Sequence, residues 1–335
     1  MDFNEEYYKR IISEFNYNPL DFAPMDFEFY SIPREIMRTK WLCHSGIDRI
    51  TANSDSFIVT TGVGLSGIPH MGTLSQILRS IFLQQNGIRV QMVLGDLDSY
   101  NARGKDLEFV SDLSQKYREF ILNLGFDSDY GIIRDQLSSP QINQRAYLYS
   151  KYLTDEDFYA TEEDLSDLYI KKNIYPGITF PVKQAILLMI ADFISLSDNY
   201  KDIIIMLGLE EHKYVLLARN LADRMGIQAN FYSMYSRIIR GLNGYPKMSK
   251  SIKESSVSVS MSAGEIRTKV LYESDDYDTP ENSVIFQMMS SVSDYSVAEI
   301  NDIYIACSQK NNRWKEYKQD YADRLVTICD KWHKC

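Results

Sequence analysis

The sequence predicts an α/β fold built around a doubly wound parallel sheet, and three observations support this prediction. Short β-branched or apolar runs alternate with longer amphipathic segments from residue 57 onward. The longer segments repeat apolar residues every three or four positions, as helices do, whereas the short runs are apolar nearly throughout, as strands buried on both faces are. Glycines stand where several segments end. Helices that connect successive strands favour a doubly wound parallel sheet.

Four strands and four helices are predicted in this region. The strands cover residues 57–61, 88–94, 202–207 and 229–234, and the helices cover residues 69–85, 105–124, 180–196 and 210–225. Gly62 ends the first strand, and Gly125 and Gly226 close two of the helices. The polar segment at residues 135–175 is rich in Tyr, Asp and Glu, and we expect it to form helices on the outside of the fold.

The chain is predicted to contain three domains. Residues 1–55 read as a helical N-terminal extension whose many aromatic residues favour packing against the main body over a flexible arm. Residues 56–262 contain the alternating strands and helices and form the α/β domain. Residues 263–335 have a helical pattern throughout and form a helical C-terminal domain.

The composition excludes some classes of protein. The chain has 335 residues, of which 44% are apolar and 24% charged, and this balance is typical of a globular protein with a substantial core. The formal net charge is −10. This charge argues against a protein whose whole surface binds nucleic acid, because Lys and Arg neutralise phosphates. A local basic patch remains compatible with it.

Nothing in the sequence indicates secretion or insertion into a membrane. No apolar run is long enough to cross a bilayer, and the acidic N-terminus does not resemble a secretion signal. The four cysteines have no paired spacing and do not cluster with the four histidines, so we expect free thiols and no zinc site. We therefore predict a cytoplasmic protein with no membrane partner.

A glycine-rich segment between the first strand and the first helix is one candidate binding motif. Residues 62–73 read GVGLSGIPHMGT. Glycines let the backbone approach a phosphate, and the start of a helix supplies unpaired N–H groups and the positive end of the helix dipole. His70 would add a donor toward charge developing on a phosphate. Alone, the pattern fits a glycine-rich turn without a ligand equally well.

A lysine-rich segment near the end of the α/β region is the second candidate motif. Residues 247–251 read KMSKS and follow a glycine-containing stretch at residues 241–246. Lys247 and Lys250 on such a loop could form a mobile cationic clamp that stabilises a leaving pyrophosphate. By composition alone, an exposed basic loop is the simpler interpretation.

Together, the two segments resemble the motifs of a known family. Residues 70–73, HMGT, resemble the HIGH motif of class I aminoacyl-tRNA synthetases, with Thr73 in the last position, and residues 247–251 match the KMSKS motif letter for letter. The likeness extends to the tryptophanyl and tyrosyl branch of that family. The segments similar to that branch are residues 180–185, 208–211, 255–270 and 280–289, together with the stretch before residue 57.

This resemblance implies a fold, a reaction and a set of site residues. The fold would be Rossmann-like, of the HUP type. An amino-acid carboxylate would attack the α-phosphate of ATP, giving an aminoacyl-adenylate and pyrophosphate, and the acyl group would pass to tRNA. The implied catalytic residues are His70, Lys247 and Lys250. The implied nucleotide-binding residues are Gly62, Gly64, Ser66, Gly72, Thr73, Gly208, Glu210, Met248, Ser249 and Ser251.

The resemblance also implies partners. Mg²⁺ would accompany ATP, held mainly by its phosphates and by water rather than by a protein metal site. The branch forms dimers, so a homodimer is expected by analogy. The amino acid is expected to be tryptophan or a related one.

The predicted amino-acid pocket departs from the family pattern. Thr60 stands where the family has an aromatic residue, Glu211 stands where it has a glutamine, and Gln184 matches the tryptophanyl pattern. Asp96 and Asp98 follow a predicted strand at the sheet edge where α/β proteins bind ligands, but they could equally cap the next turn. Glu211 could bind the α-amino group or a cationic side chain, or it could be a solvated carboxylate at a helix start. These five residues are the substrate-binding candidates.

Three functions therefore stay open. The chain could charge tRNA, or it could pass the acyl group to another acceptor in specialised biosynthesis. The altered pocket and the 84 residues after Ser251 (335 − 251), which look short for a complete anticodon-binding unit, motivate the second function. A non-catalytic regulatory paralogue is the third function, and the intact His70, Lys247 and Lys250 argue against it.

Overall fold

The computed structural model describes residues 3–20, 29, 32–50, 57–162 and 177–335. The predicted boundary between residues 55 and 56 and the later part of the polar segment, residues 163–175, lie outside the described residues. All structural statements below concern the described residues.

A single mixed sheet forms the centre of the described structure. Its strands are β1 (Asn18–Pro19), β2 (Cys43–Ser45), β3 (Phe57–Gly64), β4 (Val90–Gly95), β5 (Ile132–Asp135), β6 (Asp202–Gly208) and β7 (Asn230–Ser236). They lie side by side in the order β1-β2-β7-β6-β3-β4-β5. The five strands from β7 to β5 are parallel, while β1 and β2 add in the antiparallel direction beyond β7. The predicted α/β fold with a doubly wound parallel sheet is confirmed.

The strand order reverses between β3 and β6. From β3 the chain continues outward to β4 and β5, and it then returns to place β6 on the other side of β3. In such sheets, ligands bind in the crevice beyond the carboxyl ends of the strands at the reversal. Gly64 and Gly208 end β3 and β6 at this crevice. The topology alone therefore locates a candidate site.

Helices cover both faces of the sheet. They are α1 (Glu5–Glu14), α2 (Arg34–Lys40), α3 (Met71–Gln85), α4 (Asp96–Arg103), α5 (Leu107–Leu124), α6 (Pro140–Tyr149), α7 (Asp155–Tyr159), α8 (Phe180–Ile194), α9 (His212–Met225), α10 (Ala263–Tyr272), α11 (Val284–Ser291), α12 (Val297–Gln309) and α13 (Asn312–His333). One apolar core joins α3, α5 and α10 to α13 with one face of the sheet. A second core joins α1, α6, α8 and α9 with the other face.

The predicted strands and helices of the α/β region agree with these bounds to within three residues at each end, but two elements of that region, β5 and α4, were not predicted. Strand β5 reads IIRD and has only two apolar residues, so its pattern is too short to stand out. Helix α4 reads DLDSYNAR and lacks an apolar stripe. Helix α4 lies beside the crevice, where polar residues replace the apolar ones that make an element recognisable, and β5 is the outermost strand of the sheet.

Residues 1–55, predicted as a helical extension, contain helices α1 and α2 but also two strands that were not predicted. Strands β1 and β2 lie in this stretch, and β2 pairs with β7 through Cys43, His44 and Ser45. The backbone N–H of Leu42 also donates to the carbonyl of Tyr235 at 2.8 Å. The outer edge of β7 offers unpaired backbone groups, which these residues satisfy. Helical periodicity cannot reveal such pairing between distant segments.

After residue 262 the structure contains helices and turns. Helix α13 returns to the α/β part of the chain, where Trp332 packs edge-on against Tyr117 and Phe120 of α5 at centroid distances of 5.5 and 5.2 Å. The core under α3 is continuous with that of α10 to α13. The division into three domains stays a prediction.

One described segment could span a membrane by its length and composition alone. It covers Phe180–Asp198 and includes α8, and 67% of its most apolar window is buried inside the protein. Helix α8 packs against α4, α6 and α9. These contacts are those of a core helix.

Replacing Trp332 by alanine tests the packing of the C-terminal helix. Trp332 is 3% exposed and contacts two rings of α5. We expect Trp332→Ala to lower the free energy of unfolding by about 3–5 kcal/mol, because a large buried ring is lost and a cavity remains. Urea unfolding followed by circular dichroism measures this change. Tyr272→Ala is the control because Tyr272 is 82% exposed, and an equal effect of both substitutions would contradict this account.

Candidate functional site

A cavity of about 340 Å³ lies at the carboxyl ends of β3, β4 and β6. Both sequence motifs line it, so His70 and Lys250 face the same space. The predicted site residues in its wall are Gly62, Gly64, Ser66, His70, Gly72, Thr73, Asp98, Gly208, Glu210, Glu211, Lys247, Met248, Ser249, Lys250 and Ser251. Their roles stay predictions. Their convergence on one cavity is a structural fact.

His70 caps the N-terminus of α3. Its Nδ1 accepts hydrogen bonds from the backbone N–H groups of Gly72 at 3.0 Å and Thr73 at 3.4 Å. A side chain that accepts at this position satisfies N–H groups that the first helical turn leaves unpaired. Because Nδ1 is an acceptor, the neutral ring carries its proton on Nε2. A methyl group at Gly72 would lie 2.8 Å from His70 Cε1, so only glycine leaves room for this geometry.

The histidine is held in its neutral form. Burial, followed by the charges of Lys250 and Lys247, lowers the pKa of His70 to about 3. The ring therefore stays uncharged at physiological pH and offers a single N–H donor. It can hydrogen-bond an anionic oxygen without undergoing a change of charge.

A short antiparallel contact joins the start of α3 to the segment after the lysine-rich loop. The N–H of Val259 donates to the carbonyl of Pro69 at 3.0 Å, and the N–H of Met71 donates to the carbonyl of Val257 at 3.1 Å. His70 and Ser258 face each other across this contact as a β-bridge. The two motifs are far apart in sequence, and these backbone bonds hold them at one cavity.

Serine hydroxyl groups hydrogen-bond to the backbone of the lysine-rich loop and hold its conformation. The N–H of Ser249 donates to the hydroxyl oxygens of Ser255 and Ser256 at 3.1 and 3.0 Å, and the Ser256 hydroxyl donates to the carbonyl of Ser249 at 3.0 Å. Met248 is 3% exposed and packs into the core beneath α3. The loop backbone is therefore fixed at Met248 and Ser249, on either side of which the two lysines reach into the cavity.

Lys250 bridges the two motifs. Its Nζ donates to the carbonyl of Gly64 at the end of β3. Burial lowers the pKa of Lys250 to about 7, with Asp98 acting in the opposite direction and Arg103 adding to the lowering. An anion beside Nζ would raise this pKa, because it favours the charged form. The site is thus electrostatically prepared for a negatively charged ligand.

Two carboxylates follow the end of β6. Glu210 Oε1 lies 3.7 Å from Lys247 Nζ, and Glu211 Oε2 accepts a hydrogen bond from the N–H of Gly208 at 3.2 Å. A methyl group at Gly208 would lie 2.2 Å from Glu210 Oε2. Gly208 therefore leaves the strand end open and lets Glu210 fold back toward the cavity.

Three predicted substrate-binding residues do not line the cavity. Thr60 is fully buried within β3, where its hydroxyl accepts a hydrogen bond from Gln91 Nε2 at 3.0 Å. Asp96 accepts backbone N–H groups of Leu97 and Gln136 and fixes the turn after β5, which is the capping role left open for it. Gln184 is exposed. The structure therefore places these three residues outside the cavity wall, and their contact with a substrate stays a prediction.

The cavity wall on α8 was missed by the sequence analysis. Val182, Ala185, Ile186 and Met189 line the cavity from this helix. Their spacing of three and four residues puts them on one face, and Gln184 falls outside that face. The apolar periodicity of α8 was the available signal, because an apolar helix face can line a pocket as well as pack into a core.

The floor of the cavity beside α8 carries a buried ion pair. Arg134 Nη2 lies 2.6 Å from Asp192 Oδ1, and Gln136 Nε2 donates to Asp192 Oδ2 at 2.8 Å. Asp192 is 1% exposed, and both Asp192 and Gln136 line the cavity. The pairing offsets the charge of Asp192, so this floor is polar but close to neutral. A single Asp within the apolar sequence of α8 was the signal for it.

Comparison with known families identifies the chain. The family model described as tRNA synthetases class I (W and Y) matches residues 52–331. The chain belongs to this family. Its members are ATP-dependent ligases, and the two motifs of the cavity are those that the resemblance assigned to it.

Curated relatives agree with this assignment. The tryptophan–tRNA ligase of Methanocaldococcus jannaschii is 24% identical, and the match covers 95% of this chain and 89% of the relative. Tryptophan–tRNA ligase 1 of Halobacterium salinarum is 25% identical, over 57% of this chain and 36% of that protein. The tyrosine–tRNA ligase of Methanopyrus kandleri is 26% identical, over 64% and 63%.

Solved structures share the fold. Tryptophanyl-tRNA synthetase from Aeropyrum pernix has a TM-score of 0.73 at 21% identity, covering 98% of this chain and 96% of that one. The enzyme from Encephalitozoon cuniculi, solved with tryptophan bound, has a TM-score of 0.72 at 18% identity, covering 97% and 96%. The likeness therefore extends over nearly the whole chain.

The pKa of Lys250 is open to direct measurement. After reductive ¹³C-methylation, we expect one methyl-lysine resonance to titrate near pH 7, because burial disfavours the charged ammonium. The free site would thus lose the Lys250 charge as the pH rises through 7, and pyrophosphate should shift the titration upward. Lys250→Arg should remove the resonance. A Lys250 resonance that titrates near pH 10, as an exposed lysine does, would contradict the burial of this group.

Proposed function

We propose that this chain activates an amino acid with ATP and transfers it to tRNA through the cavity described above. The observation that carries the proposal is the convergence of the α3 N-terminus with Lys247 and Lys250 on one space. The Nε2–H of His70, the positive end of the α3 dipole and two lysines form a site suited to a triphosphate. The family membership supports the same chemistry.

In the first step, an oxygen of the amino-acid carboxylate attacks the α-phosphorus of ATP. The new carboxyl–phosphorus bond forms as the bond from the α-phosphorus to the bridging oxygen of pyrophosphate breaks, so the products are aminoacyl-AMP and pyrophosphate. The bridging oxygen leaves with the electron pair. In our proposal the His70 Nε2–H donates to the phosphate oxygens, while Lys247 and Lys250 stabilise the charge on the departing pyrophosphate. In the second step, a hydroxyl of the tRNA displaces AMP.

The scheme also assigns a position to the ribose and a means of binding to the metal ion. Gly208 leaves the end of β6 open, and Glu210 beside it could accept a ribose hydroxyl. Among the described residues, no group of three or more His, Cys, Asp or Glu side chains could hold a metal ion. We propose that Mg²⁺ accompanies ATP and is held mainly by the phosphates and by water. Bound in this way, Mg²⁺ would neutralise part of the triphosphate charge.

The amino acid would occupy the part of the cavity beside α8. The apolar face of Val182, Ile186 and Met189 suits a neutral, bulky side chain, and the floor at Asp192 suits a ring that carries one polar group. Tryptophan or a related amino acid fits this lining. Asp98 and Glu211 remain our candidates for binding the α-ammonium group. The Arg134–Asp192 ion pair argues against a cationic substrate side chain at the floor.

A screen of ATP–pyrophosphate exchange over all amino acids tests this function. We expect tryptophan or another neutral aromatic amino acid to give exchange, followed by acylation of total tRNA. Exchange without acylation, with the acyl group recovered on another acceptor, would instead support the biosynthetic alternative. No exchange with any amino acid would support the non-catalytic alternative.

Lys250→Ala locates the activity in the cavity. We expect it to lower kcat for exchange on the order of 10²- to 10³-fold, as the loss of one transition-state charge partner typically does. Lys253→Ala is a matched control, because Lys253 belongs to the same loop and is exposed outside the cavity. Equal activity of Lys250→Ala and the wild type would place the chemistry elsewhere.

We also propose, by analogy with the family, that the protein forms a homodimer. Exposed apolar side chains on α6, α7 and the start of α8 support this proposal, since Tyr147, Leu148, Tyr159 and Phe180 are each more than half exposed, between 56% and 78%. Lys183, one turn after Phe180, lies 5.0 Å from the ring of Tyr159, so these elements share one surface. Grouped apolar residues of this kind are typical of interfaces between protein chains.

Analytical ultracentrifugation tests the dimer. We expect the wild type to sediment as a dimer and Phe180→Glu to dissociate it, because a buried charge at an apolar interface is costly. Tyr272→Glu, at a residue 82% exposed on α10, serves as the control. A monomeric wild type at micromolar concentration would disprove this arrangement.

We further propose a cytoplasmic location, in keeping with the family. The four cysteines are free thiols, and Cys43, Cys307 and Cys329 are buried. Burial raises the pKa of Cys329 to about 12, so this thiol stays protonated and unreactive. Free thiols are common in reducing compartments. Cell fractionation would test the location.

A further inference from the structure

One buried arginine in the cavity has neutral partners only. Arg79 lies on α3, lines the cavity and is 4% exposed. Its Nε donates to the carbonyl of Lys40 at 2.8 Å, and its Nη1 donates to the hydroxyl of Ser75 at 3.2 Å. Within the described parts of the chain, Nη2 has no hydrogen-bond acceptor and the guanidinium has no ion pair. Glu210 acts on its charge only from a distance.

The guanidinium of Arg79 therefore has one nitrogen, Nη2, that a ligand could use. Burial lowers the pKa of Arg79 to about 10, and burial together with Arg79 lowers the pKa of Lys40 to about 8. Lys40 is partly exposed, whereas Arg79 is 4% exposed. Because the guanidinium lines the cavity and Nη2 has no acceptor among the described residues, Nη2 can donate to a ligand atom with a lone pair.

The position of Arg79 in the cavity indicates which part of a nucleotide it would meet. In our proposal the triphosphate binds at the start of α3, and the ribose lies beside Gly208. Arg79 is seven residues beyond Gly72, but its Nη1 donates to Ser75, so the guanidinium lies one turn inside α3, about 4–5 Å along the helix from Gly72 at ~1.5 Å per residue. It therefore lies beyond the helix start that our proposal assigns to the phosphates, toward the nucleoside part of a nucleotide.

Apolar side chains on the same side of the sheet complete the place for a base. Ile239 and Met248 line the cavity, are 4% and 3% exposed, and belong to the core beneath α3. The N–H of Met248 donates to the carbonyl of Ile239 at 3.3 Å, so the two residues are neighbours. A planar base could lie against them with its edge directed toward Arg79.

We propose that Arg79 recognises the adenine base of ATP by donating a hydrogen bond to a ring nitrogen. The inference rests on the proposed function, which supplies the nucleotide and its direction in the cavity. Guanidinium groups only donate, and adenine presents ring nitrogens that only accept. The carbonyl of Lys40 holds Nε and leaves Nη2 free to turn to the base. The N-terminal extension thereby takes part in nucleotide recognition.

Equilibrium binding to the full-length protein is the first test. We expect Arg79→Met to raise the Kd of ATP and the Kd of AMP by the same factor, about tenfold to hundredfold, because a charged hydrogen bond to the base is lost in both cases. In pyrophosphate exchange, KM for ATP should rise by a similar factor while kcat stays within about twofold, as expected for uniform binding. Arg89→Met, which removes an arginine outside the cavity, should leave both nucleotides unaffected.

Base analogues give a test that does not depend on the folding of a variant. We expect the wild type to bind one of 1-deaza-, 3-deaza- and 7-deaza-ATP about tenfold or more weakly than ATP, since a carbon replaces the acceptor. Arg79→Met should bind that analogue and ATP equally. The analogue that fails identifies the ring nitrogen in contact.

Three outcomes would overturn the inference while leaving the proposed function intact. The first is a wild type that binds all three analogues as well as ATP. The second is a loss in Arg79→Met that affects ATP but not AMP, which would assign Arg79 to the phosphates. The third is a variant with a lowered melting temperature but unchanged affinity, which would give Arg79 a purely structural role. Failure of the proposed function would differ, because the wild type would then neither bind ATP nor exchange pyrophosphate.

Discussion

The site depends on one short stretch of backbone pairing between residues 69–71 and 257–259. These hydrogen bonds join the start of α3 to the chain that leaves the lysine-rich loop. Neither motif could form the site alone, since the helix start provides the neutral Nε2–H of His70 and the positive end of the helix dipole, whereas the loop provides the two cations. The pairing fixes the distance between them. Backbone bonds suit this purpose because they tolerate change in the side chains around them.

The charges in the cavity follow from the same arrangement. Lys250 lies against the Gly64 carbonyl, close enough to His70 for its charge to disfavour imidazolium. The imidazole is neutral and in a fixed tautomer because Nδ1 is committed to the helix cap. Positive charge is thereby concentrated on the lysines, which belong to a loop, whereas the rigid helix start contributes neutral donors. The group best able to follow a departing anion is also the one that carries the charge.

Much of this architecture could be predicted from the sequence, and the misses share a physical cause. The apolar strands and amphipathic helices bury large side chains, so their periodicity is strong. Helix α4 borders the cavity and carries polar residues for that reason, while β5 is a short strand at the edge of the sheet, so both patterns are weak. β1 and β2 owe their conformation to the edge of β7, which is distant in sequence.

The same distinction holds within the site. His70, Lys247 and Lys250 belong to contiguous motifs whose local geometry is set by glycines and a helix start, so their positions follow from the sequence. The placement of Gln184 and Thr60 could not be predicted, because it requires knowing which way each side chain points from α8 and from β3. Asp192 is marked only by its position as an acidic residue in an apolar helix, and the partners of Arg79 and Asp192 could not be predicted, because they come from separate elements.

The two short strands of the N-terminal extension have a consequence for the behaviour of the whole molecule. β7 would otherwise be the border of the sheet, with a row of open peptide groups able to recruit any extended polypeptide. β2 occupies that row, and the chain just before it supplies the carbonyl that anchors Arg79. One peptide stretch thus covers the sheet edge and, if Arg79 recognises the base as we propose, orders the nucleotide pocket, so a proteolytic cut there would lower solubility and nucleotide affinity together.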